Sequence, residues 1–207
     1  MMSVNQLGRW SALGVFLVGV AYVVTLSVGM AIHGLREPIV DPVLAIMELL
    51  TLAVAPQLVV MMAAVHSYAR PEHRIYGVVA LAFMTLMAGT TSIVHFVELT
   101  ALRQLGSRGI VWPSPIYAVE LLAWNLFLGL SLLFAAPVFA SQGLERAVRR
   151  GLQICGLLCV AGVVGPAVGD MRLQLVGVFG YTVVLPAVSL MLARLFRGAQ
   201  RLALEQA

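Results

Sequence analysis

Six apolar runs, each about long enough to cross a bilayer, leave this chain room for little else. The first, Ala12 to Ile32, contains no charged residue, and a helix needs roughly 20 such residues to span hydrocarbon. It is longer than the apolar region of a secretory signal and is read as a retained helix. Backbone polar groups in lipid must be satisfied within their own segment or in a closed barrel, so runs of this length are helices. The sequence therefore predicts an all-α membrane protein: one domain, a single bundle of six transmembrane helices, with spans at about 12–32, 43–67, 76–102, 116–139, 151–169 and 173–196.

Composition agrees. The chain is 61% hydrophobic and 11% charged, whereas soluble domains are nearer half apolar and a quarter charged. All thirteen basic residues are Arg and there is no Lys. That excludes chemistry built on a lysine Schiff base, such as a retinal-type chromophore or pyridoxal phosphate. The Arg residues are scattered through loops with no basic stripe, so no nucleic-acid partner is expected. Their distribution instead sets orientation. One side receives Arg9, Arg70, Arg74, Arg146, Arg149, Arg150, Arg194, Arg197 and Arg201, and the other Arg36, Arg103, Arg108 and Arg172. By the positive-inside rule both termini are expected in the cytoplasm. The Arg-only, Ala/Leu/Val/Gly-rich texture is bacterial in character, which makes a bacterial inner membrane the expected location.

Breakers punctuate the runs. Pro56 and Pro186 fall mid-run, where a proline frees a carbonyl and kinks a helix. Gly165 and Gly169 form a GxxxG with Ala161 one turn earlier, which predicts close packing of the fifth helix. Gly169-Asp170-Met171-Arg172 reads as a tight hairpin. Cys155 and Cys159, four apart in an apolar run with no CxxC, read as small buried hydrophobes.

The acids are distributed unevenly. Glu37, Asp41, Glu48, Glu98, Glu120 and Asp170 all belong to the outer side in this orientation, and only Glu72, Glu145 and Glu205 to the inner. Glu48, Glu98 and Glu120 each lie within about two turns of a run's outer end, at 1.5 Å per residue, and His95 lies a turn deeper than Glu98. Helical spacing gathers Thr91, His95 and Glu98 on one stripe, and Tyr117, Glu120 and Trp124 on another with Asn125 beside it. Glu48 pairs with Thr51 on the second run, and Arg103 is placed to meet Glu98. Ionisable side chains inside membrane helices face the bundle or a wet cavity and mark functional sites by default. The bland alternative is that each acid reaches the headgroup layer separately, with only modest ion pairing.

If the stripes converge, they form a pocket with His95, Glu98 and Glu120 as acid–base residues, and with Glu48, Thr91, Tyr117, Trp124 and Asn125 binding the substrate. Partly buried carboxyl and imidazole groups can exchange protons near neutral pH. Such a site suits isomerisation, cyclisation or hydrolysis of a small or lipid-like molecule, and the Trp face can stabilise a cation. Two other readings stay open. One is proton- or cation-coupled transport, with the prolines breaking helices; a six-span transporter would then be expected to form a homo-oligomer. The other is an accessory or sensory subunit whose polar layer fixes helix register. No cofactor is called for. A di-iron bundle needs paired carboxylate and Glu-x-x-His motifs, and here His95-x-x-Glu98 stands alone; a single metal on His95, Glu98, Glu120 and His33 is the residual metal reading. GxSxG and HExxH are both absent. The expected partners are membrane lipids and a small or lipid-like substrate.

Overall fold

A computed structural model describes residues 2–34, 39–106 and 111–205. Among the described residues there are helices and turns but no strands. Six helices are long and apolar enough to cross a membrane: α1 (Val4–Ile32), α2 (Val43–Tyr68), α3 (Pro71–Leu102), α4 (Pro115–Val138), α5 (Gly143–Val168) and α6 (Met171–Ala199). Each packs on its neighbour in sequence, and α6 returns to pack along α1, so the six close into a ring. Around the outside stand exposed apolar side chains such as Leu17, Ile93, Phe96, Leu157 and Leu175. A soluble protein rarely exposes so continuous an apolar surface; lipid covers it here.

Local chemistry sets the helix ends. Ser3 caps α1 in a reciprocal box with Gln6, satisfying two otherwise orphaned N–H groups. Ser114 caps α4, accepting from the Tyr117 N–H, and Pro115 takes the first helical position, where its missing N–H costs nothing. Gly169 closes α5 in the left-handed region at φ 77°, and Asp170 caps α6. α1 and α5 begin at Val4 and Gly143, each about two turns before the apolar run, because amphipathic turns can ride the interface with their polar faces outward. In that segment of α5 Val148 is buried while Arg146 and Arg150 are exposed.

The bundle has two unlike halves. The terminal half, where α1 begins and α6 ends, is an apolar core of Met61, Met62, Met84, Phe139, Leu152 and Phe196, all at most 1% exposed. Tyr68 stacks on Phe139 at 5.8 Å and meets Phe196 edge-on at 6.2 Å. Its hydroxyl donates to Glu145 Oε1 at 2.6 Å, while Glu145 Oε2 accepts from the Ala140 N–H at 2.6 Å. The opposite half, which we call the chamber half, contains the polar residues of α2, α3 and α4.

Glycines hold α5 against α4 and α6. A Cβ on Gly156 would stand 2.8 Å from the Gly129 carbonyl, and one on Gly162 would stand 2.9 Å from both the Asn125 amide oxygen and Gly177 Cα. The expected GxxxG face is thus corrected in detail. Gly165 packs on the Gln174 backbone, but Gly169 has no neighbour within 4 Å of a built Cβ and serves the turn. Ala161 is exposed, and Gly162 takes the contact position. Cys155 and Cys159 are free and fully buried.

Candidate functional site

Three of the helices contain a stretch of wider π-helical turn, and all three stretches lie in the chamber half: Glu98–Leu102 in α3, Leu122–Phe127 in α4 and Gly180–Val184 in α6. Such turns re-aim the side chains around them and occur frequently at functional sites. The one in α6 ends just before Pro186, whose missing N–H already interrupts the hydrogen-bond ladder. The Gly180 carbonyl, which accepts the Leu185 N–H across this turn, also accepts from the Cys155 thiol at 3.1 Å.

Inside the ring these helices enclose a cavity of about 430 Å³, within the range usual for small-molecule sites. Its walls come from α1, α2, α3, α4 and α6. Glu48, His95, Glu98, Tyr117, Glu120 and Trp124 all line it, so the carboxylates of three helices share one chamber. Toward the rim Glu48, Glu98 and Leu44 also line a second, shallower pocket with Asp41 and Arg103.

The centre of the site is a directed chain of hydrogen bonds. The Trp124 indole N–H can only donate, and it donates to Thr91 Oγ1 at 3.0 Å. Thr91 donates in turn to Glu120 Oε1 at 2.8 Å. The same oxygen lies 2.9 Å from His95 Nε2, so with Glu120 ionised the imidazole donates there and keeps its lone pair on Nδ1. On the chamber wall His95 Nδ1, Glu120 Oε2 and Glu48 Oε1 have no hydrogen-bond partner among the described residues; away from it the same holds for His66 Nδ1 and both amide atoms of Asn125. His95 is 6%, Glu120 8% and Glu48 1% exposed. Buried polar atoms are nearly always paired, and exceptions in a native protein point to strain, catalysis or a missing partner.

The rim is an ion cluster. Arg103 donates from Nε and Nη2 to Asp41 at 3.0 and 2.8 Å, and from Nη2 to Glu48 Oε2 at 2.9 Å. Burial works against the Arg103 cation, but the hydrogen bonds and charges of Asp41 and Glu48 outweigh it and raise its pKa above an already high value. The arginine side of this cluster therefore contributes at every pH below the ordinary guanidinium range and is lost only in strong alkali. His95 and Glu98 stand within electrostatic range of Glu48, which links the rim to the His95–Glu120 pair.

Two residues expected on the wall lie elsewhere. Thr91 is fully buried behind Glu120, where it orients the carboxylate. Asn125 is fully buried away from the chamber, its amide wedged between Gly162 and Gly177 where α4, α5 and α6 meet. Its neighbour Trp124, about 100° around the helix, faces the chamber instead. The Glu37, Arg36 and Arg108 positions lie outside the described residues, as does the side chain of His33. Among the described residues no group of three or more His, Cys, Asp and Glu side chains is placed to hold a metal ion.

Sequence reasoning missed Tyr22, Gln174 and Tyr181, which also line the chamber. Tyr181 lies 5.2 Å from Trp124 between ring centroids, and its hydroxyl accepts from Gln174 Nε2 at 3.2 Å. Neutral residues within apolar runs carry no charge signal; only the Gln174–Tyr181 spacing of two helical turns hinted at a shared face. Comparison with family models, with curated proteins and with solved structures finds no match to this chain.

Proposed function

We propose that this protein is a bacterial inner-membrane receptor or enzyme whose single six-helix domain presents the chamber to the outer face and binds a small, lipid-like molecule there. The Arg distribution supports that orientation, with both termini in the cytoplasm. The observation that carries the reading is the buried His95–Glu120 pair at 2.9 Å, on the wall of a cavity that Glu48 and Glu98 share.

The pair supplies acid–base chemistry. Glu120, held by Thr91 and Trp124, fixes the imidazole through Nε2 and stabilises it once charged. His95 Nδ1 then takes a proton from an O–H, N–H or activated C–H of the bound molecule, whose bonding electrons stay with that molecule, and the resulting imidazolium can return the proton to another atom. Carboxylate-supported imidazoles serve this role in many sites. Glu48 and Glu98 contact the polar end of the ligand, while Tyr117 and Trp124 line its path.

A second reading, proton-coupled transport, draws support from Pro56, Pro186 and the three wide turns around the cavity, since broken helices frame transporter sites. Against it stands the apolar packing of the terminal half, where Met61, Met62 and Met84 are fully buried.

Native mass spectrometry of protein released from nanodiscs separates binding from mere structure. The wild type is expected to carry an adduct of constant mass distinct from bulk lipid. His95→Ala and Glu120→Gln should lose it while keeping the helical circular dichroism of the wild type. Equal adducts in all three proteins, or none in any, would contradict the reading.

A further inference from the structure

The chamber's own chemistry narrows the ligand class, an inference that rests on the binding reading above. Arg103 is already engaged by two carboxylates, Asp41 and Glu48, so it is a poor anchor for an anionic headgroup. Besides the tyrosine hydroxyls, the wall presents buried carboxylate oxygens that can only accept while ionised. Glu48 Oε1 and Glu120 Oε2 are buried without a hydrogen-bond partner among the described residues, on side chains 1% and 10% exposed. A ligand that satisfies them must donate hydrogen bonds, carry positive charge, or both.

The aromatic residues point the same way. Tyr22, Tyr117, Trp124 and Tyr181 line the same cavity, and Tyr22, Tyr117 and Tyr181 all lie within electrostatic range of Glu120. Aromatic faces grouped around a carboxylate make a cage for an ammonium group, which is drawn to the negative face of each ring. Beyond the cage the lining becomes apolar, with Val15, Val54, Leu58 and Pro186. From Met30 to Val15 on α1, the cavity wall covers about 22 Å at 1.5 Å per residue. That is room for one extended alkyl tail pointing toward the middle of the membrane.

We propose that the chamber takes a single-tailed organic cation, its ammonium head between Glu120, Glu48 and the aromatic faces and its tail along α1 and α2. Anionic and neutral amphiphiles of the same tail length are disfavoured.

The test uses the full chain in nanodiscs and three probes that share an eight-carbon tail: octyltrimethylammonium, octyl glucoside and octyl sulfate, each below its micellar concentration. Binding is read by quenching of Trp124 fluorescence in a Trp10→Phe/Trp112→Phe background. Octyltrimethylammonium should bind at least about tenfold more tightly than either other probe, as expected for a desolvated cation–π cage. Glu120→Gln should remove most of that preference. Tyr181→Phe should keep it and Tyr181→Leu should weaken it several-fold, a distinction that loss of folding would not make. Equal binding of the ammonium and the glucoside, both lost in Glu120→Gln, overturns the cation preference and leaves the chamber standing. Tightest binding by octyl sulfate overturns it as well. No binding by any probe, together with no native adduct, overturns both the preference and the binding reading.

Discussion

The terminal half and the chamber half are built from the same six helices, yet they bury different things. In the terminal half methionines and phenylalanines fill the ring, and the partly buried Glu145 has both oxygens engaged. In the chamber half the ring stays open around a cavity, and Glu48 and Glu120 each keep one oxygen unsatisfied. Apolar packing to native density leaves no room for a ligand, and unsatisfied buried acceptors cost stability. Under the binding reading, the polar residues of the chamber half do more than fix helix register. What sets the chamber apart is where its unpartnered atoms stand: Glu48 Oε1 and Glu120 Oε2 belong to side chains on a cavity wall, whereas His66 Nδ1 and the Asn125 amide are packed against glycines.

Perturbing each half separately sharpens the contrast. The largest effect is expected at the α4–α5 contact that supports both. Gly156→Leu pushes a side chain onto the Gly129 carbonyl and the Leu133 side chain. It should cost about 3 kcal/mol or more, seen as a steep fall in thermal stability in detergent. Arg103→Ala should follow, at about 3 kcal/mol, the lower end for breaking a buried pair, because the Arg103 side chain is 29% exposed. Adding Glu48→Gln should restore much of that loss by removing the stranded charge, whereas an additive double mutant would deny the pairing. Met84→Ala opens a void in the terminal half and should cost about 2–3 kcal/mol, with the native adduct retained. Glu120→Gln keeps shape and should cost only about 1 kcal/mol in stability, while the adduct disappears. If Met84→Ala and Glu120→Gln had the same effect on the adduct, the two halves would not be functionally distinct.

Much of this fold is legible in the sequence because lipid makes its demand through composition: a charge-free run such as Ala12 to Ile32 has one way to satisfy its backbone. The His95, Glu98 and Glu120 stripes are legible for a related reason, since ionisable groups in apolar runs seek the interior. The closure of α6 onto α1 is not, because side-chain spacing within one helix does not choose its neighbour. Arg103 reaching Asp41 and Glu48 depends on that same tertiary choice. Asn125 was placed beside Trp124, but adjacent residues on a helix point about 100° apart, and which of the two faces the cavity is set by where α5 and α6 pack, with Asn125 meeting Gly162 and Gly177. Tyr22 and Tyr181 were hidden among other apolar residues, visible only once the ring had closed.

The central claim is a solvent-reachable chamber in one half and a sealed core in the other. Thiol accessibility tests it directly, in a background where Cys155 and Cys159 are replaced by Ala. Thr51→Cys lies on the chamber wall and Met84→Cys in the terminal core. In right-side-out vesicles a small ammonium-bearing methanethiosulfonate should modify Thr51→Cys from outside, and far more slowly in the presence of octyltrimethylammonium. It should leave Met84→Cys untouched. Equal labelling of both cysteines, or a Thr51→Cys that stays silent in folded protein, would contradict the account.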